Sequence, residues 1–204
     1  GYVLFYNLAA YLSNPAEILA IWRGGMSFHG GFLGAVLALL LFARRRGLNG
    51  YAMLDLAAVV VPIGLFFGRL ANFVNGELWG RISYVKWAVL FPRSMPPGTP
   101  LERIFPRHPS QLYEAGLEGL LLFAYFQWRF WKTDVVRTRP GRLAGEFLLG
   151  YAAVRAVGEQ FREPDASLLF GLSRGSFYSL FLLAAGAGLI VWSRRAQPPA
   201  GTGA

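Results

Sequence analysis

Apolar positions along this chain gather into five long runs, at about residues 27–43, 53–74, 110–131, 143–161 and 176–193, with a partial run at 1–12. Most of the runs reach the roughly 17–25 residues that cross a hydrocarbon core. Buried helices of a soluble protein are shorter and one-sided. The pattern therefore predicts an all-α fold, a polytopic transmembrane helix bundle with five full crossings plus a partial N-terminal helix. The stretch 75–109 breaks the pattern with Trp79, Trp87, Pro92, Pro96, Pro97 and Pro100. It reads as an irregular arm with a short strand near Val85–Leu90. One transmembrane domain is expected over 1–195, with 196–204 as a disordered tail rich in Pro, Gly and Ala.

Composition supports a membrane location. Of 204 residues 54% are hydrophobic and 15% charged, and mean hydropathy is +0.39, whereas a soluble domain carries about 25% charged residues. The net charge of +9 does not mark a nucleic-acid protein, because the cations sit in short clusters at the ends of apolar runs rather than along a face. Arg44–Arg46, the group Lys132, Arg137, Arg139 and Arg142, and the pair Arg194–Arg195 all fall on one side if the runs alternate. By the positive-inside rule that side is cytoplasmic. Segments 13–26, 75–109 and 162–175 then face the periplasm of an inner-membrane protein, with the C-terminus inside. There is no cysteine and there are two histidines, His29 and His108, so neither a disulfide framework nor a metal site is expected. The chain opens at Gly1 inside an apolar stretch and reads as having lost its start.

Polar residues inside the apolar runs are the informative ones. An arginine at mid-membrane costs about 2.5–3.5 kcal/mol and needs a partner or a purpose. At the helical rise, Arg69 stands about 21 Å beyond Asp55, Arg155 about 20 Å beyond Arg142 and His29 about 22 Å from Arg44. Three helices thus deliver two guanidiniums and an imidazole to one depth in the periplasmic half. Tyr151, Arg155 and Glu159 repeat at i, i+4, i+8 with Arg162 near the same face, and Gln111, Glu114 and Glu118 form an inward face on the 110–131 run. Two arginines at one depth beside a histidine point to an anion site, and a guanidinium fork suits phosphate oxygens. A phospholipid headgroup is the anion such a setting offers. His108, next to Pro109 at a helix start, reads as structural.

The run Gly68-Arg69-Leu70-Ala71-Asn72-Phe73-Val74-Asn75-Gly76-Glu77-Leu78-Trp79-Gly80 resembles the signature of prolipoprotein diacylglyceryl transferases at every specified position. Gly24–Gly31 is similar to that family's histidine motif, Arg107–Glu114 to the segment leading into its next helix, and Gly150–Asp165 to its penultimate helix. The resemblance implies a seven-helix enzyme without metal or organic cofactor. Such an enzyme moves diacylglycerol from phosphatidylglycerol to the lipobox cysteine of a preprolipoprotein signal peptide, making a thioether and releasing glycerol phosphate. By position, the resemblance implies catalytic roles for His29, Arg69 and Arg155. It implies phosphatidylglycerol contacts for Arg69, Asn72, Asn75, Glu77, Gly80, Tyr151, Arg155, Glu159 and Arg162. Glu77 and Glu159 are expected to fix the arginines. It also implies that the family's first helix and most of its second, including one tyrosine, lie outside this sequence. A lipid or anion transporter and a non-catalytic phospholipid-binding protein are the competing readings, and neither accounts for the signature.

Overall fold

The computed structural model describes residues 28–163 and 174–195. The expectations for 1–26, for 164–173 and for the tail 196–204 lie outside the described residues. The chain divides after Leu54 into two compact units.

In the first, α1 (Phe28–Arg45) stops where Gly47 takes φ +65°. Leu48 and Gly47 donate back to Ala43 and Arg44 at 2.8 and 3.3 Å, so the last carbonyls of the helix are closed by a left-handed glycine. Asn49 then accepts from the amides of Tyr51 and Ala52 at 2.9 and 3.3 Å and starts α2 (Gly50–Asn75).

The second unit contains most of α2 and the rest of the chain. A rod follows the arm: α3 (Ser110–Glu114), a π-helical segment (Ala115–Leu121) and α4 (Leu122–Lys132) run without interruption. The short α5 (Val135–Thr138) leads to α6 (Arg142–Gly158), and α7 (Arg174–Arg195) ends the described chain. Gly145 and Gly186 let α6 and α7 touch backbone to backbone. A Cβ at Gly145 would lie 2.8 Å from the Gly186 carbonyl oxygen, and one at Gly186 2.9 Å from that of Gly145. Gly119 lies so close to α2 that a Cβ there would lie 2.6 Å from that of Phe66.

The start of α6 is capped from a different helix. Asp55 on α2 is fully buried and accepts from the amides of Gly141 at 2.8 Å and Ala144 at 2.7 Å. These are donors a helix N-terminus leaves without partners of its own. Asp55→Ala should therefore cost about 2 kcal/mol, lowering Tm by roughly 4–8 °C in a chain of this size. Thermal denaturation in detergent checks it.

This unit is polar inside and apolar outside. Gln111, Glu114 and Glu118 have no exposure, while Phe67, Val74, Trp131 and Phe181 are wide open. Water would penalise so much exposed apolar surface, and lipid would not. α2 and the segment Gly175–Arg195 are each long and apolar enough to span a bilayer. The apolar core proper, Val59, Leu122, Phe126, Val135 and Leu143, sits away from those buried glutamates, toward the α5 end.

The arm is more ordered than its proline content suggests. The expected strand at Val85–Leu90 shrinks to β1 (Val89–Leu90), because Ala88 donates back to Val85 at 2.9 Å and turns the chain. β1 pairs antiparallel with β2 (Pro106–Arg107).

Candidate functional site

The site is built on four pieces of backbone: the end of α2, the arm just after it, the front of the rod and the end of α6. On the rod, Gln111, Glu114 and Glu118 stand on one face, as their spacing predicts, and are fully buried. A π-helical turn begins directly after Glu114. Such turns widen a helix locally and recur at functional sites.

The two mid-helix arginines meet at these glutamates. Arg69 donates from Nε and Nη2 to Glu118 Oε2 at 3.0 and 2.8 Å, and its Nη1 pairs with Glu114 Oε2 at 2.9 Å. Arg155 donates from Nη1 to Glu114 Oε1 at 2.8 Å and Glu118 Oε1 at 3.4 Å, and its Nη2 pairs with Glu159 at 2.8 Å. Arg162 reaches Glu114 at 3.3 Å. Among the described residues, three guanidiniums and three carboxylates thus form one buried, charge-balanced network with Glu114 at its hub. Neutrality is what makes the cluster tolerable in a low-dielectric surrounding. Tyr151, stacked on Phe147, lies within electrostatic reach of Arg69, Arg155, Glu114 and Glu118. α7 passes over the cluster at Gly175, where a Cβ would stand 2.9 Å from Arg155 Nη2 and 3.0 Å from Glu159 Oε2.

Beside the network lies a second polar group. Asn72 and Asn75 each donate to Glu77 Oε1 at 3.1 Å. Those bonds, Asn75 before Asn72, hold the Glu77 carboxyl below its usual carboxylate range. Glu77 was expected to fix an arginine and instead binds carboxamides. Arg69 turns to the rod because Glu118 and Glu114 offer two dry carboxylates side by side. Glu159 does pair with Arg155. After Glu77 the chain is bent: Gly76 takes φ +64° and Leu78, a branched residue, φ +57°, a costly conformation that neighbouring structure must impose. Ser110 Oγ donates to the Leu78 carbonyl at 3.2 Å and Gln111 Nε2 to that of Glu77 at 2.7 Å, which supplies the clamp.

Gly80 lies in a slot. Its amide donates to His108 at 3.0 Å, it forms a β-bridge with Arg162, and Arg81 donates to Phe161 at 2.8 Å. A Cβ would meet the carbonyl oxygens of His108 and Phe161 at 2.5 and 2.6 Å. Gly80 thereby fixes the backbone from which Arg162 reaches Glu114. Gly80→Ala should cost about 1–3 kcal/mol through overpacking against backbone, and lower Tm and activity together. Arg107, which donates to the Gly80 carbonyl at 3.1 Å and pairs with Glu163, staples the same bridge. His108 supports the arm through its backbone and a 3.2 Å contact between Nδ1 and the Tyr113 hydroxyl, which also accepts from Trp87 Nε1 at 2.6 Å.

His29 stands in the first turn of α1, and its side chain lies outside the described residues. Of the three groups expected at one depth, the structure brings Arg69 and Arg155 together. The residues missing from the sequence-derived site are Glu114 and Glu118. Their signal was the i, i+4 spacing of two acids in an apolar run beside two unpaired arginines on other runs.

A family model described as prolipoprotein diacylglyceryl transferase matches residues 1–192. Among curated proteins, the chain is similar to many named phosphatidylglycerol–prolipoprotein diacylglyceryl transferase. That of Rhodospirillum centenum is 51% identical over 94% of this chain and 68% of its own. The Allorhizobium ampelinum protein is 52% identical over 98% and 69%, and the Rhodospirillum rubrum protein 50% over 97% and 70%.

Proposed function

The chain belongs to the prolipoprotein diacylglyceryl transferase family, and from that premise we propose that its buried arginine–glutamate network is the site of diacylglyceryl transfer. The protein is a transferase. It takes the diacylglyceryl group of phosphatidylglycerol and joins it to a prolipoprotein cysteine. The observation that carries the site assignment is the convergence of Arg69 and Arg155, from separate helices, on Glu114 and Glu118.

In the reaction the cysteine sulfur attacks the glyceryl carbon bonded to the phosphate oxygen. The C–S bond forms as the C–O bond breaks, and the electron pair departs with glycerol phosphate. The thiol proton leaves to His29 or to the released phosphate. A thiolate is the competent nucleophile, so positive field near the sulfur helps. Negative charge grows on the leaving phosphate, and fixed donors in a dry cavity stabilise it without reorganising. Arg69 has five N–H groups. Two donate to Glu118 and Nη1 is held by Glu114, so at least two remain for phosphate oxygens. Arg155 supplies a second fork, with Glu159 and Glu114 fixing its plane. Asn72, Asn75 and Glu77 orient the headgroup, Tyr151 borders the reacting centre, and Gly80 and Arg162 hold the arm against it.

Five crossings in the inner membrane, with the site toward the periplasm and the C-terminus in the cytoplasm, agree with the basic clusters at Arg44–Arg46, Lys132–Arg142 and Arg194–Arg195. Single cysteines at Ser83 and Thr99 of this cysteine-free chain should react with an impermeant thiol reagent in intact spheroplasts. Labelling only after the membrane is opened overturns that orientation. For the function itself, proteoliposomes holding labelled phosphatidylglycerol and a lipobox peptide should yield labelled thioether. Flux of lipid or anion without product supports a transporter, and retention without either supports a binding protein.

A further inference from the structure

Gln111 has an atom that the network does not use. The residue is fully buried, and its carboxamide oxygen Oε1 has no hydrogen-bond partner among the described residues. The amide cannot be turned to remove the problem, because Nε2 donates to the Glu77 carbonyl at 2.7 Å. Reversal would set oxygen against oxygen. A buried acceptor left unmet costs about 1–3 kcal/mol, and its complement must be a donor.

The position of Gln111 narrows what that donor is. It stands three residues before Glu114 on the same buried face, an axial rise of about 4.5 Å along the helix from the residue that gathers three arginines. Through the Glu77 carbonyl it is also tied to the Asn72–Asn75–Glu77 group. It therefore lies between the proposed phosphate grip and the proposed headgroup contacts. The phosphodiester and acyl esters of phosphatidylglycerol only accept hydrogen bonds. The hydroxyls of its terminal glycerol donate, and their oxygens lie three and four bonds past the phosphate ester oxygen, a reach of roughly one helical turn. We propose that Gln111 Oε1 accepts a hydrogen bond from a headgroup hydroxyl, making Gln111 a specificity-determining residue that selects glycerol-bearing phospholipids. This rests on the transferase reading above.

The test crosses a protein change with a substrate change. Wild type and Gln111→Met are placed in bilayers containing either phosphatidylglycerol or phosphatidylpropanol, which matches it in chain and charge but lacks headgroup hydroxyls. For each pair, kcat/KM for thioether formation on a lipobox peptide and the lipid-induced shift in Tm are measured. Wild type should prefer phosphatidylglycerol tenfold or more by about one good hydrogen bond, and Gln111→Met should bring that ratio close to one. Gln111→Leu, a second apolar side chain of similar size, should bring the ratio close to one as well and serves where the methionine variant fails to fold. No preference in wild type, or the same ratio in wild type and in a folded Gln111→Met or Gln111→Leu, overturns the assignment. Thioether from neither lipid sinks the transferase reading instead, and the Tm shifts still report whether Gln111 senses the hydroxyls.

Discussion

Glu114→Gln should both destabilise the protein and stop its chemistry. Glu114 is fully buried and is, among the described residues, the one carboxylate that Arg69, Arg155 and Arg162 share. Neutralising it takes from Arg69 and Arg155 the carboxylate that each holds at 2.9 and 2.8 Å, in a region of low dielectric. Breaking a buried ion pair from one side costs about 3–5 kcal/mol. At this chain length that corresponds to a fall in Tm of roughly 6–20 °C. Turnover should fall by more than stability alone explains, because Arg69 and Arg155 lose the anchor that sets their planes. Thermal denaturation beside activity per folded molecule separates the two effects. A glutamine variant that melts normally would show that Glu114 does not hold the cluster.

Arg69→Lys should act on the chemistry almost alone. Lysine keeps the charge and can still pair with Glu118, so the network stays neutral and the fold survives. It has three N–H groups rather than five, on a compact ammonium instead of a planar fork. Two carboxylates occupy most of them, and no bidentate face is left for phosphate. Loss of one preorganised donor at a developing anion typically costs about 10²–10³ in rate. Thioether formation should fall by that factor with Tm within a few degrees of wild type. An arginine that serves packing alone would give the reverse, a lower Tm with normal turnover per folded molecule.

Helices and their order were readable because apolar runs and basic clusters are local signals. Boundaries fell close, with runs at 53–74 and 176–193 against helices Gly50–Asn75 and Arg174–Arg195. The meeting of Arg69 with Arg155 was legible too, from the rise per residue alone. Which acid each arginine would take was not. Glu77 is eight residues from Arg69 and Glu118 is forty-nine away, and the sequence offers no measure of which is dry and adjacent. The tight slot around Gly80 arises from the carbonyls of His108 and Phe161, on segments distant in sequence. The left-handed turn at Leu78 was equally hidden, since nothing in a leucine announces it and the clamp comes from Ser110 and Gln111 across the fold.

Whether the cluster grips phosphate can be measured directly, before any transfer takes place. With arginine side chains labelled in 15N and the protein held in phosphatidylglycerol nanodiscs without peptide, 15N–31P dephasing reports guanidinium nitrogens within hydrogen-bond range of a phosphate, about 2.8 Å from nitrogen to oxygen. The account predicts a strongly dephased signal that weakens in Arg69→Lys and again in Arg155→Lys. Dephasing that neither substitution changes would place the lipid phosphate elsewhere and contradict it.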